Sequence, residues 1–418
     1  MKTTLTVLLL AVTGFTTSSL AVAQDAALDG CWYRWGSKSF GSGIKKNDST
    51  EPAKCTVHIA SSQATISCNT RKENRFIQTS ETRVIQARLR PAGNGNLELT
   101  TTRIATDGKE LKAPNLNVAL SYAIDGNKLF TVARGPDLQA KDLQTSQDIV
   151  QSSHRRLPVD KNQCQSIGTG ARDPSGVFNL PKPSTVSVNL GDAIRSVNFD
   201  LAQALLASGG DINCVNCDEN PPLVLAVFLQ NNTQEDRLSW VLANKADPNI
   251  ESLQGAFGPN GGMTGFLRFA GQFARWVGRE ETSLTSRKAI EWFNKLLDAG
   301  ANVKAVTNDQ SSFLHLYAGE AFNWQINLQK VEGPLVTLIA RGADINALDS
   351  VGYTPLMRGL MGGYNGQRRC PLDQVNQFLA LGTNTSITGL DGKRAFDIAM
   401  ENAAAGDRRC NALLPLLK

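Results

Sequence analysis

The residues in this chain whose types could do chemistry are eight cysteines and three histidines. Cys214-Val215-Asn216-Cys217 is a Cys-x-x-Cys. At a helix N-terminus after a strand, such a pair is a redox site, because the helix dipole stabilises a thiolate. With two further ligands nearby it would be half of a zinc site, and no second pair lies close in sequence. Two more cysteines end nearly identical segments, GQRRC at 366–370 and GDRRC at 406–410. These spacings fit a metal site, a basic patch or one structural position used twice. His58 has no neighbour but Cys55 with which to share a metal or a proton. The chain holds no Gly-x-Ser-x-Gly, no phosphate-binding glycine loop with lysine and no His-Glu-x-x-His. The expectation is a protein that is not an enzyme, with no catalytic, metal or cofactor-binding residue.

The elements that hold these residues begin with a leader. Lys2, the apolar run Leu5–Val12 and Ala21-Val22-Ala23 have the order of a secretory signal peptide, 1–23. The run is too short to span a bilayer, so no membrane span is expected. Export to the periplasm follows, and in an oxidising space an even number of cysteines favours disulfides. The chain has 418 residues, too many for one ordinary core. Its 41% hydrophobic and 19% charged residues are those of a soluble globular protein. Residues 24–165 carry 20 Lys/Arg against 14 Asp/Glu, and the remainder 22 against 24. Neither part has the dense basic stripe of a nucleic-acid-binding surface, so no nucleic-acid partner is expected.

Residues 24–157 read as all-β. KCTVHIA at 54–60, QATISCN at 63–69, TRVIQARLR at 82–90, GNLELTTTR at 95–103 and NKLFTVAR at 127–134 are strand-like. Gly93-Asn94-Gly95, Asp107-Gly108 and Asp125-Gly126-Asn127 punctuate them as turns. This spacing predicts a small barrel or sandwich. LDGCWY at 28–33 and the closing HRRL at 154–157 resemble lipocalin-like domains, which open on Gly-x-Trp and close with an Arg packed across that Trp. Barrels of that kind can hold one ligand, so a carrier or sensor of a small apolar ligand is one functional expectation. Proximity pairs Cys55 with Cys68 across a hairpin and Cys31 with Cys164. Residues 158–188, with Pro158, Pro174, Pro181 and Pro183, read as a linker.

From 189 to 418 the chain repeats. In LIARGADINALDSVGYTPLM at 338–357, an apolar helix face ends at Gly342, Asp344-Ile345-Asn346 leads into a turn, and Thr354-Pro355 starts the next helix. Equivalent Asp/Asn positions are 211, 247, 302, 344 and 384, giving steps of 36, 55, 42 and 40. These segments resemble ankyrin repeats, whose unit is about 33 residues. The resemblance implies an α-dominated solenoid of about six units with inserts, the outer two partial. It also implies that Cys370 and Cys410 occupy matching places in consecutive units, where a disulfide can staple the end of the stack. Cys214 and Cys217 then fall in a hairpin, where a local disulfide fits better than redox or metal use. His315 matches a structural histidine of the repeat.

The same resemblance directs binding to hairpin tips and inserts. The expected partner-binding residues are Asn216, Asn308, Asp349 and Leu390 at the tips, and Trp276, Trp324 and Tyr364 on the inserts. The expected function is a non-enzymatic periplasmic protein-binding module with a protein partner. One concrete form is an immunity protein that inhibits a toxic effector enzyme; an envelope scaffold or stress factor is another.

Overall fold

The computed structural model describes residues 28–40, 54–74, 77–93, 96–111, 116–125, 128–135, 148–157, 160–168, 183–215, 220–230, 236–252, 262–277, 284–322, 328–362 and 369–418. The leader expected at 1–23 lies outside them. An antiparallel, curled β-sheet comes first and a helical region follows.

The strands are β1 Gly30–Phe40, β2 Lys54–Ala60, β3 Gln63–Asn74, β4 Ile77–Gly93, β5 Asn96–Thr106, β6 Lys109–Leu111, β7 Asn117–Asp125, β8 Lys128–Gly135 and β9 Asp148–Leu157. Pairing runs in chain order from β1 to β5, then through β7, β8 and β9. β9 pairs back onto β1, so eight strands close the ladder and short β6 hangs on β5. Closure follows from alternation, which gives each strand one apolar face to turn inward. In β5, Leu97, Leu99 and Thr101 are buried while Glu98 and Thr102 are exposed.

Trp32 plugs this interior. It is fully buried, its indole Nε1 donates to Leu28 O at 2.8 Å, and the Arg156 guanidinium lies 4.4 Å from its ring centroid. On the opposite face of β1, Cys31 is bonded to Cys164 of α1 (Lys161–Gly168). α1 covers β1, β2 and β3, and Thr56 Oγ1 donates to Cys164 O at 2.7 Å. Part of the segment read as linker is thus a helix fastened to the sheet; an eight-residue amphipathic stretch among prolines is too short for its period to stand out in sequence. A second disulfide, Cys55–Cys68, joins directly opposed residues of β2 and β3.

The helices after it are α2 Thr185–Arg195, α3 Phe199–Ala207, α4 Pro222–Leu229, α5 Arg237–Ala243, α6 Gly265–Val277, α7 Leu284–Asp298, α8 Phe313–Ala321, α9 Leu328–Ala340, α10 Pro355–Leu360, α11 Leu372–Ala380 and α12 Ala395–Ala404. A 3₁₀ turn, Arg408–Ala412, follows α12. α2, α4, α6, α8, α10 and α12 touch in succession, and so do α5, α7, α9, α11 and the 3₁₀ turn. Aromatic side chains fill the space between neighbours. Phe266 of α6 stacks on Phe313 of α8 with centroids 4.7 Å apart, and Trp276 meets Trp292 of α7 edge-on at 5.5 Å.

The Asp/Asn positions picked out in the sequence act locally. Asp211, Asp247, Asn302, Asp344 and Asn384 each accept, through Oδ1, the main-chain N–H two residues on, at 2.8–3.0 Å. Such Asx turns fix the bend after a helix. The joints between neighbouring bends are made by the asparagine two residues later. Asn213, Asn249 and Asn346 accept from the N–H of Asp247, Asn302 and Asn384, each at 2.7 Å. Their amides donate to the carbonyls of Lys245, Gly300 and Gly382. A carboxamide can both donate and accept at one tip, which a carboxylate cannot. At position 304 a lysine stands instead.

One strong contact ties the sheet to the helical region. Lys128 of β8 is only 3% exposed; its Nζ donates to Val306 O at 2.6 Å and pairs with Glu251 Oε1 at 2.8 Å. Gly262, at φ +71°, closes over it: a Cβ there would lie 2.8 Å from Lys128 Cε. Lys128→Ala would leave Glu251 and the Val306 carbonyl facing the junction without that donor. The expected loss is about 1–3 kcal/mol, read from urea denaturation. An unchanged midpoint would mean that the contact is incidental.

Candidate functional site

The residues expected to meet a partner divide sharply. Asn308 is fully buried beside Lys128 and Gly262, under the chain's own β-sheet. Asp349 is 2% exposed; its Oδ1 accepts from Val351 N at 2.9 Å and Tyr353 N at 3.0 Å, and its Oδ2 takes Arg358. Neither is open to a partner: Asn308 is covered at the junction with the sheet, and the turn that must satisfy its own amides uses up the Asp349 carboxylate. Trp276 is fully buried against Phe269 and Trp292, so it belongs to the core. Leu390 is half-buried, its N–H donating to Val351 O at 2.9 Å. Asn216, Trp324 and Tyr364 lie outside the described residues.

The cysteine constellations resolve as crosslinks. Cys370 and Cys410 form a disulfide, both fully buried. An Asp407 carboxylate oxygen and the two sulfurs lie within 4.8 Å of one another, yet a disulfide offers no thiolate to a metal. Arg409 is exposed and holds Asp407 at 2.7 Å, lowering the Asp407 pKa, while Arg408 faces solvent. The GDRRC segment is therefore a staple with a solvated rim. Cys214 is also disulfide-bonded; Cys217 lies outside the described residues. The disulfides mark an oxidising, extracytoplasmic environment. Among the described residues no helix is long and apolar enough to cross a membrane.

His315 is structural. Its Nδ1 accepts from Ser312 N at 3.1 Å, capping α8, and its Nε2 bonds Tyr353 O at 2.9 Å. Burial lowers its pKa below 6.5, opposed by Asp349 and by the Tyr353 carbonyl. The folded chain keeps the ring neutral where the unfolded chain protonates it. Stability is therefore present above the unfolded pKa and declines as pH falls below about 6.5, with a slope approaching 1.4 kcal/mol per unit from this group. His315→Gln is expected to be less stable but to lose less between pH 7 and pH 5. An unaltered pH dependence in that variant would assign the acid sensitivity elsewhere.

A site that the sequence reading missed lies between α6 and α8. A cleft of about 270 Å³ is lined by Met263, Leu267, Arg268, Gly271, Gln272 and Arg275 on one side and Leu316 and Glu320 on the other. Positions 267, 268, 271, 272 and 275 share one stripe of α6, while Phe266, Phe269 and Phe273 face the core. Arg275 grips Glu320 with two bonds of 2.8 Å, and this pairing raises the Arg275 pKa further above its usual value. The Arg268 guanidinium stands 5.8 Å from the ring centroid of Phe228, which is 54% exposed at the end of α4. The signal available in sequence was the spacing of Arg268 and Arg275, seven residues apart on an aromatic-rich helix.

No family model matches the chain, and no curated protein matches it. Membership of the ankyrin family, and of a lipocalin-like family for the first part, is accordingly withdrawn. The features that carried both resemblances are general ones. Gly after a helix, Thr-Pro before the next and an Asx turn between them meet the needs of many helix connections. A Trp capped by an Arg is likewise a local contact, and local solutions do not identify a family.

Proposed function

We propose that this protein is a non-enzymatic periplasmic binding module. In this reading the paired helices stack as a solenoid, and the open side of α4, α6 and α8 receives a protein partner. The observation that carries it is the α6–α8 cleft beside exposed Phe228. Aromatic and arginine side chains around a recess are the usual composition of an energetic centre in an interface. The particular form favoured is an immunity protein that blocks a toxic effector enzyme arriving from a rival cell. The experiment is affinity capture of the mature chain from periplasmic extract, with and without candidate effectors, alongside survival of a deletion strain under attack. The expected result is one effector enzyme retained and inhibited, and a deletion strain that dies. Full survival of that strain, with no effector retained, would overturn the proposal.

A further inference from the structure

We propose that the C-terminal staple is a redox-gated metal site: once a dithiol reductant opens the Cys370–Cys410 bond, Cys370, Cys410 and Asp407 hold a thiophilic divalent cation such as zinc. This goes beyond the partner-binding reading and does not depend on it.

The three side chains meet from two places in the fold. Cys370 stands just before α11, Asp407 caps the 3₁₀ turn by accepting from Arg409 N at 3.2 Å, and Cys410 lies within that turn. Their ligand atoms lie within 4.8 Å of one another. The cysteine Cα atoms are 4.9 Å apart, so the parted sulfurs both reach a common cation at the about 2.3 Å of a zinc–thiolate bond. Three protein ligands leave a fourth tetrahedral position for water. It opens on the side of Asp407, whose side chain is 16% exposed while both cysteines are fully buried.

The surroundings suit the reduced, loaded form. Asn402 is buried, and its Nδ2, which donates to Leu360 O at 2.7 Å, also lies 3.9 Å from Cys370 Sγ. An N–H aimed at a ligating sulfur stabilises the thiolate and fixes its direction. Asp407 now pairs with Arg409, whose side chain is 64% exposed. So exposed an ion pair holds weakly, and the cation displaces the guanidinium from one carboxylate oxygen at little cost. Charge then balances: the thiolates and the carboxylate are offset by the divalent cation and the nearby Arg409. The sulfur ligands choose the metal, since thiolates favour zinc and its neighbours over magnesium or calcium.

The exchange is balanced. The dithiol gives its electrons and protons to the S–S bond and leaves as its own disulfide, and Cys370 and Cys410 become thiols. Each thiol loses its proton as the cation binds. Oxidation reverses both steps and expels the metal.

The test uses the full mature chain, oxidised or reduced with dithiothreitol and desalted, and titrated with zinc or cobalt chloride. The reduced chain is expected to take up about one more zinc than reduced Cys370→Ser/Cys410→Ser, which keeps every other cysteine. Its cobalt form should show the thiolate charge-transfer absorption that the double variant lacks. Asp407→Asn retains both thiols and an oxygen to cap the turn, and should bind zinc about tenfold or more weakly. Zinc should also shield the reduced chain from trypsin after Arg408 and Arg409, a local readout independent of metal counting, and magnesium should not. Equal zinc uptake by the double variant, uptake of that zinc by the oxidised chain, undiminished affinity in Asp407→Asn, or cleavage unaltered by zinc would overturn the proposal.

Discussion

Replacing Cys31 and Cys164 together by alanine is expected to remove about 5 kcal/mol of stability, the chain-entropy value for a crosslink over so long a loop. The bond spans 133 residues, nearly the whole β-part, and its sulfurs are fully buried. It does two things at once. It limits the unfolded chain, and it holds α1 across β1, β2 and β3. Without it, α1 keeps its packing and the Thr56 hydroxyl bond to Cys164 O, a modest attachment for an eight-residue helix. The urea midpoint of the β-part should fall steeply, and the amides of α1 should exchange faster than those of the strands. A loss below about 1 kcal/mol would show that the reduced, unfolded chain stays compact enough to need no tether.

The second large effect lies at the other end. Cys370→Ala with Cys410→Ala opens a loop of 40 residues, for which the same relation gives about 4 kcal/mol. Here the damage should be local. Among the described residues the 3₁₀ turn packs chiefly on α12 and α11, at one end of the succession of helices. Successive layers stabilise one another through shared faces, and an end layer has half of that support. The expected sequence is early opening of 405–418, trypsin cleavage after the exposed Arg408 and Arg409, and a nearly unchanged midpoint for α6 to α8. If the whole helical region melted as one unit at a lower denaturant concentration, the layers would be more strongly coupled than this picture allows. Neither crosslink touches the α6–α8 cleft, so both variants separate loss of stability from loss of binding.

Much of the architecture could be read from the order of residues. The strand segments show the alternation that closes a sheet. Thr354-Pro355 starts a helix as expected, Thr354 Oγ1 accepting from Met357 N at 3.3 Å. Gly342 takes φ +100° after α9, and Lys245 accepts φ +64° where neighbouring bends have glycine. An even count of cysteines leaves many connectivities open, and the pairs Cys31–Cys164 and Cys55–Cys68 were within reach through proximity alone, Cys370–Cys410 through the matching segments that carry them. The surface was another matter. Asn308, Asp349 and Trp276 have types that suit binding, yet all three are buried. Residue type states what a side chain can do; only its neighbours decide whether anything outside can reach it.

By itself, then, the sequence determined what is local: strand period, helix starts and stops, Asx turns and an oxidised set of cysteines. These depend on interactions between residues a few positions apart, which linear order displays directly. The tertiary structure decided what is distant. Lys128 of the sheet is buried against Glu251 and Val306, which shuts a face that looked available. Arg268 and Arg275 of α6 meet Glu320 of α8 and Phe228 of α4 around a recess. Those meetings join positions 40 to 178 residues apart, and no periodicity carries information over such separations; only the packing of whole elements fixes them.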